Sequence, residues 1–142
     1  MASAVFLPDI NLLVAAHLAN HQHHDLALGW LRSADHFATC ATTEQGLVRL
    51  LSNPAVNSGA SIVDALAALA RVRRRRQHQF WAEQASLDAP GIDTARMTGH
   101  RQVSDFHLLN LAASRGGQLV TLDKRIEPAL QPRDRRHLCC LL

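Results

Sequence analysis

The sequence predicts an α/β fold of three layers, in which a central and mostly parallel β-sheet is flanked by helices. Short apolar runs alternate along the chain with longer segments of helical apolar spacing, which is typical of parallel strands joined by crossover helices. The chain has 142 residues, enough to enclose a core of its own. We therefore expect residues 1–142 to form a single domain.

The first part of the chain predicts two strands and two helices. Residues 4–8 (AVFLP) are apolar and closed by proline, like a buried strand, and residues 11–18 follow with helical spacing. Residues 23–34 predict a second helix, and residues 36–40 (HFATC) a short strand. One face of the second helix is expected to carry its large apolar side chains: Leu26, Trp30 and Leu31.

The middle of the chain predicts two further helices. Residues 42–54 begin with Thr42 and Gln45 at the spacing of a capping box and end at an Asn-Pro pair, which stops a helix. Residues 61–76 read as one long amphipathic helix. Residues 78–88 are ambiguous and have room for another short strand.

The last part of the chain predicts a helix between two strands. Residues 102–117 have helical spacing, with Ser104 as the expected N-cap and a Gly pair at the end. Residues 118–123 (QLVTLD) are a clear strand, and residues 137–142 (HLCCLL) are expected to form a terminal edge strand.

Composition narrows the class of protein. No stretch reaches the roughly 20 apolar residues of a membrane-spanning helix, and the N-terminus lacks the basic start of a signal peptide. Three cysteines without a CxxC pair argue against a disulfide framework and a zinc site. We expect a soluble, cytoplasmic protein.

Arginine dominates the positive charge. The net charge is +3, and 14 of the 15 basic residues are Arg. Because its planar fork binds two phosphate oxygens at once, Arg suits nucleic-acid contact. A run of basic residues at a helix end also interacts with the helix dipole and solvent, so both interpretations remain open. The candidates for RNA contact are Arg71, Arg73, Arg74, Arg75 and Arg76.

Four acids fall at strand ends or helix starts: Asp9, Glu44, Asp105 and Asp123. In a parallel α/β sheet, sites form at the carboxyl ends of the strands. Each acid alone has a simpler explanation as a helix cap or turn residue. Together, the carboxylates would repel one another unless a cation lay between them, and hard oxygen ligands favour Mg²⁺ or Mn²⁺.

Four segments carry a resemblance to a known family. In order, "LPDINLLVAA", "TTEQGLVRLLSNP", "TGHRQVSDFHLLNLAA" and "LVTLD" resemble the motifs of PIN-domain ribonucleases, specifically VapC-type toxins of bacterial toxin–antitoxin pairs. The resemblance runs from Asp9 to Asp123 and implies a PIN-like fold with an acidic pocket for Mg²⁺ or Mn²⁺.

The resemblance also implies roles for individual residues. Asp9 and Asp105 match the primary metal ligands, Glu44 an acid that holds metal through water or orients the attacking water, and Asp123 the acid that completes the pocket. Asn11 and Thr121 match supporting residues. The implied reaction is metal-assisted hydrolysis of RNA phosphodiester bonds without a side-chain nucleophile. Arg49, Arg101 and Arg125 are further candidates for phosphate contact.

The resemblance implies partners as well. A small VapB-type antitoxin would silence the nuclease, and the toxin would form a homodimer, within a larger toxin–antitoxin assembly in some cases. Residues 11–18 and 61–70 would supply apolar faces for the dimer. No membrane partner is expected.

Other interpretations differ in the residues they need. A PIN-like RNA-binding protein without catalysis would have a broken acid set, and a Mg²⁺-dependent phosphatase would need DxD where the chain has "PDINLL". The histidines of "HQHHD" (residues 21–25) suggest zinc, but no second ligand cluster with familiar spacing follows.

Overall fold

A five-stranded parallel sheet lies at the centre of the computed structural model, which describes residues 4–142. The strand order is β3-β2-β1-β4-β5, and every pairing is parallel. The strands are β1 (Phe6–Pro8), β2 (Phe37–Cys40), β3 (His78–Trp81), β4 (Gln118–Thr121) and β5 (Leu138–Cys140). The predicted parallel sheet is confirmed, with β3 inside the ambiguous segment and β5 as the expected edge strand.

Helices cover both faces of the sheet, as the three-layer prediction requires. They are α1 (Ile10–His17), α2 (His24–Ser33), α3 (Ala41–Leu51), α4 (Ile62–Arg73) and α5 (Val103–Ser114). Short 3₁₀ turns lie at His100–Gln102, Glu127–Ala129 and Pro132–His137. Among residues 4–142, none of the helices has both the length and the apolar character needed to cross a membrane.

The side chains of each strand alternate between the two faces of the sheet, and the apolar core is therefore divided into two clusters. Leu7 and Leu119 point to the face covered by α5 and pack with Phe106, whereas Phe37 and Val120 point to the face covered by α1, α2, α3 and α4. Successive side chains of a strand point to opposite faces. The face toward which a polar residue near a strand end points is therefore set by its parity.

Strand register places β1 and β4 side by side at their carboxyl ends. Pro8 pairs with Val120, and the Asp9 N–H donates to the Val120 carbonyl at 2.9 Å. Asp9 therefore lies at the sheet edge beside Thr121. Close packing of α3 on α1 supports this end, because a Cβ on Gly46 would lie 2.5 Å from Cδ1 of Ile10.

Several helix boundaries differ from the sequence predictions. The helix α5 begins one residue before Ser104, continuing the 3₁₀ turn, so Ser104 is not its N-cap. The start of α3 is organised by Thr43, whose hydroxyl accepts from the Cys40 N–H at 3.0 Å, and not by Thr42 with Gln45. Both errors are shifts of two residues at a helix start, since the N-caps are Gln102 and Cys40, and competing caps lie close together there.

The predicted extent of the fourth helix was also wrong, and the predicted apolar face of the second helix is only partly buried. The helix α4 ends at Arg73, so the three arginines that follow lie outside it. In α2 the buried side chains are Ala27 and Leu31, while Leu26 is 42% exposed. At the end of α5, the expected glycine stop is present, because Gly116 has the left-handed φ of +66° that favours glycine.

Candidate active site

Asp9 is a buried carboxylate that accepts two hydrogen bonds. It is 3% exposed and caps α1, where Oδ1 accepts from the Leu12 N–H at 2.8 Å. Oδ2 accepts from the Thr121 hydroxyl at 2.5 Å. Burial raises the pKa of Asp9 to about 6 and the charge of Asp123 adds to the rise, although the two hydrogen bonds oppose it.

Thr121 connects two of the predicted acids. While its hydroxyl donates to Asp9, its oxygen accepts from the Asp123 N–H at 3.0 Å. The parallel pairing of β1 and β4 makes this contact possible, because Leu7, Asp9, Leu119 and Thr121 share the parity that faces α5. The predicted position of Thr121 beside an acid is thus present in the structure.

Asp105 reaches the same place from the first turn of α5. It is partly buried. Burial, with the charges of Asp9 and Asp123, raises the pKa of Asp105 to about 6, and Arg125 offsets part of this rise. Asp9, Asp105 and Asp123 are therefore close enough for each charge to act on the others.

Asp123 differs from the other two because an arginine neutralises it. Its Oδ1 accepts from the backbone N–H and the Nε–H of Arg125, both at 2.9 Å, and its Oδ2 accepts from Nη2 at 2.8 Å. These bonds hold the pKa of Asp123 below its usual range despite partial burial.

Glu44 is held in a separate group of side chains. Its Oε2 accepts from the Thr39 hydroxyl at 2.6 Å and from Nη1 of Arg73 at 2.7 Å. Thr39 has the parity of Phe37, which faces α1–α4, whereas Asp9 and Thr121 face α5. The structure brings three of the four predicted acids together and turns the fourth to Arg73.

The predicted supporting residue Asn11 lies in an exposed position. It lines a surface groove together with residues in or just after α1 and α3: Val14, Leu18, Asn20, His21, Leu50 and Val56. Its catalytic role stays a prediction.

The arginine run lies away from Asp9. Arg71 shares a small cavity with His17, and the charges of Arg71 and Arg75, together with burial as the largest cause, lower the pKa of His17. His17 ends the eight-residue helix α1 that Asp9 begins, so about 12 Å of helix separates them. Arg73 bonds Glu44 and lies 4.9 Å from the ring centroid of Phe80. RNA contact by the run remains a prediction.

A cleft of about 260 Å³ opens beside Asp105. It is lined by the start of α5, by the loop before it and by Arg125: Thr98, Gly99, His100, Arg101, Gln102, Asp105 and Arg125. Gln102 organises this cleft, since its Oε1 accepts from the Thr98 N–H at 2.8 Å and from the Thr98 hydroxyl at 2.9 Å. Of the arginines named from the sequence, Arg101 and Arg125 line this cleft.

Glu83 is a structural residue that the sequence analysis missed. Its carboxylate accepts from the Thr42 N–H at 2.9 Å, from the Thr42 hydroxyl at 2.6 Å and from Nε2 of His107 at 2.5 Å. Burial opposes the charge, but these bonds outweigh it and lower the pKa of Glu83. No sequence signal indicated Glu83, because it lies inside the ambiguous segment of residues 78–88, two residues after the end of β3.

The residues present fit a divalent cation in chemistry but are not closed around one. Within residues 4–142, no three His, Cys, Asp or Glu side chains are already grouped tightly enough to hold an ion. Asp123 and Glu44 are each turned to an arginine. Even so, the buried carboxylate of Asp9 and the partly buried carboxylate of Asp105 repel each other, and a hard cation relieves such repulsion.

Comparison with known proteins identifies relatives over most of the chain. The PIN domain family model matches residues 6–129. Ribonuclease VapC29 of Mycobacterium tuberculosis is 43% identical over 118 residues, covering 82% of this chain and 84% of that protein. Ribonuclease VapC44 of the same species is 36% identical over 139 residues, covering 95% and 98%.

A solved structure matches the fold. The crystal structure of VapBC2 from Rickettsia felis bound to a DNA fragment from their promoter aligns with a TM-score of 0.56, covering 89% of this chain and 95% of that chain. The identity is 12%, so this likeness bears on the fold alone.

Proposed function

Since the chain belongs to the PIN domain family, we propose that it is a metal-dependent endoribonuclease toxin of a toxin–antitoxin pair. Its relatives in Mycobacterium tuberculosis at 36–43% identity carry the name Ribonuclease VapC. The predicted family is thereby confirmed. The metal dependence, the substrate and the partners are the proposal.

The observation that carries the proposal is the pair of carboxylates formed by Asp9, which is buried, and Asp105, which is partly buried. Both have a pKa near 6 because burial and neighbouring charge disfavour ionisation. Such clusters are costly to fold and are typical of functional sites. Their place at the carboxyl end of a parallel sheet is where α/β proteins bind ligands.

The chain's own carboxylates would hold the ion. Asp9 and Asp105 would be the primary ligands of Mg²⁺ or Mn²⁺, and Asp123 would complete the set. A divalent ion bound there would lower the pKa of a bound water, which favours its attack as hydroxide, and would stabilise the charge on the leaving oxygen. Thr121 fixes the orientation of Asp9 through its hydroxyl. Glu44 would orient water after release from Arg73, and Asn11 is retained as a supporting residue.

RNA in single-stranded form is the proposed substrate. A-form duplex hides base edges in its deep major groove, and the chain has few aromatic residues for stacking, with 4% aromatics and no Tyr. Contact would therefore be mainly with phosphates. Support comes from Arg101 and Arg125, which line the cleft beside Asp105. The run Arg71, Arg73, Arg74, Arg75 and Arg76 would contact parts of the RNA farther from the cut.

A VapB-type antitoxin and a second copy of the chain are the proposed protein partners. Support for an apolar interface comes from exposed side chains of α4 and β3: Ile62, Val63, Leu66 and Phe80. The expectation that residues 11–18 also supply such a face was wrong, since residues 12–16 of α1 are all buried in the core. A cytoplasmic location belongs to the same proposal, because cellular RNA lies there.

Cleavage of a labelled single-stranded RNA with Mg²⁺ or Mn²⁺ tests the proposal. We expect the wild type to cut, and EDTA, Asp9→Asn or Asp105→Asn to reduce the rate at least about 100-fold, as loss of metal catalysis requires. Asp25→Asn is the matched control, since Asp25 is an exposed acid at the start of α2. Equal cutting by all variants would refute the metal mechanism. Binding without cutting by the wild type would support the catalytically silent RNA-binding alternative.

A further inference from the structure

Arg125 is an exposed side chain held in one orientation. Three bonds fix it to Asp123, from its backbone N–H, its Nε–H and its Nη2. Gln102 donates to its carbonyl at 3.4 Å. The Arg125 side chain is 80% exposed while that of Asp123 is 20% exposed. An exposed arginine loses considerable entropy when it is ordered, so this one is already prepared for a ligand.

The guanidinium retains donors on its solvent side. It has five N–H groups in a planar fork, and the bonds to Asp123 use Nε–H and one Nη2–H. As far as residues 4–142 show, the remaining three are available to a ligand. The fork matches a phosphate group, which accepts two parallel N–H bonds.

Arg125 lines the cleft beside Asp105, together with Arg101 and His100. A phosphodiester that approaches Asp9 and Asp105 meets buried negative charge, so its approach requires positive groups nearby. Arg125 is the cation in this cleft whose charge acts on both Asp105 and Asp123.

We propose that Arg125 binds a backbone phosphate of the RNA in this cleft and that Asp123 is the residue that positions it. The inference rests on the proposed ribonuclease function. It assigns Asp123 a task in substrate binding in addition to its proposed place near the metal.

The charge of Arg125 has opposite effects on RNA binding and on metal binding. The charge of Arg125 acts against any divalent cation that binds Asp105 and Asp123. Removing that charge therefore weakens RNA binding and strengthens metal binding. The variant Arg125→Lys separates a direct phosphate contact from the effect of charge alone, because it keeps the charge and loses the planar fork.

RNA binding in EDTA forms the first part of the test, with an end-labelled single-stranded RNA followed by fluorescence polarisation. We expect Arg125→Gln to weaken binding about tenfold and to flatten the dependence of log K on log salt by about 0.7, as for one lost phosphate contact on a single strand. Arg125→Lys keeps the charge but cannot bind in two-pronged fashion, so we expect an intermediate loss. Arg32→Gln removes the same charge from the exposed last turn of α2 and should leave affinity within about twofold.

Mn²⁺ titration without RNA forms the second part, measured by calorimetry. We expect Arg125→Gln to bind Mn²⁺ about threefold more tightly than the wild type, and Arg125→Lys or Arg32→Gln to bind it as the wild type does.

The outcomes separate the two proposals. Equal RNA binding by wild type and Arg125→Gln, or an equal loss in Arg32→Gln, would overturn the role of Arg125 while RNA cleavage by the wild type stands. Unchanged or weaker Mn²⁺ binding by Arg125→Gln would also overturn it. A wild type that neither binds nor cuts RNA would overturn both proposals.

Discussion

At the scale of single residues, Asp9 has two roles, of which one requires only a hydrogen-bond acceptor and the other, its proposed role as a metal ligand, requires a negative charge. As the N-cap of α1 it needs an acceptor for the Leu12 N–H, which a neutral amide also provides. As a buried charge it is unfavourable in the absence of a cation. The stability of the metal-free protein should therefore depend on its charge more than on its shape.

Replacing Asp9 by Asn tests this separation. The folded pKa of Asp9, about 6, lies above its ordinary value of 3.8. The stability that the neutral carboxyl group contributes is therefore complete below pH 3.8 and is lost as pH rises through about 6. We expect Asp9→Asn to raise the free energy of unfolding in EDTA by about 1–3 kcal/mol near pH 7.5, and by much less near pH 4.5. Urea denaturation of the wild type and of Asp9→Asn at both pH values measures the difference in the free energy of unfolding.

Asp9→Ala is the control for the cap. It removes the charge and also the acceptor, leaving the buried Leu12 N–H without a partner at a cost of about 1–3 kcal/mol. If the Asn and Ala variants were equally destabilised near pH 7.5, Asp9 would be a structural cap and the buried-charge interpretation would fail.

At the scale of elements, Glu83 joins the start of α3 to α5. Its three hydrogen bonds lie between Thr42 and His107, and α5 carries Asp105. Glu83 thus helps to hold the two helix starts that carry Glu44 and Asp105, although it lies outside the acid cluster.

Replacing Glu83 by Gln should loosen this junction. The amide has one acceptor oxygen, so we expect a loss of about 1–2 kcal/mol in the free energy of unfolding near pH 7. Because the folded pKa of Glu83 is lowered, the stabilisation by its charge is present above the ordinary pKa of 4.5 and is lost as pH falls through the lower folded value. Thermal denaturation of Glu83→Gln measures this loss. Glu127→Gln, at an exposed glutamate, is the control. An equal effect of both substitutions would show that the junction contributes nothing.

At the scale of the whole molecule, charge and apolar surface are separated. The acids gather at the carboxyl end of the sheet, Arg71 and Arg75 lie beside the far end of α1, and α4 exposes Ile62, Val63 and Leu66. Contiguous exposed apolar side chains mark interaction sites more often than they serve the fold.

Leu66→Glu tests the proposed dimer. Leu66 is 52% exposed, so we expect its substitution to change the free energy of unfolding by less than about 1 kcal/mol. A desolvated charge would nonetheless oppose the interface, and sedimentation should show a monomer where the wild type is a dimer. Leu26→Glu on α2, at 42% exposure, is the control. A Leu66→Glu variant that remains dimeric would exclude this face as the interface.

Local signals in the sequence were sufficient for most elements. Of the elements that the structure describes in residues 4–142, apolar spacing predicted the five helices and four of the five strands, and it left the segment of β3 ambiguous. The glycine stop of α5 was confirmed. Helix starts were less certain, because Thr42, Thr43 and Cys40 offer competing caps within one turn, and only the contact of Thr43 with Cys40 decides between them.

By itself, the sequence determined the parallel sheet and the delivery of Asp9, Asp105 and Asp123 to one end of it. Periodicity and capping are local, and parallel strands with helical crossovers bring strand ends and helix starts to the same edge. Only the tertiary structure decided that Glu44 turns to Arg73, that Arg125 holds Asp123, and that Arg71 and Arg75 lie beside His17. Those outcomes depend on the face toward which each side chain points and on the element packed against it, which are non-local properties of the folded chain.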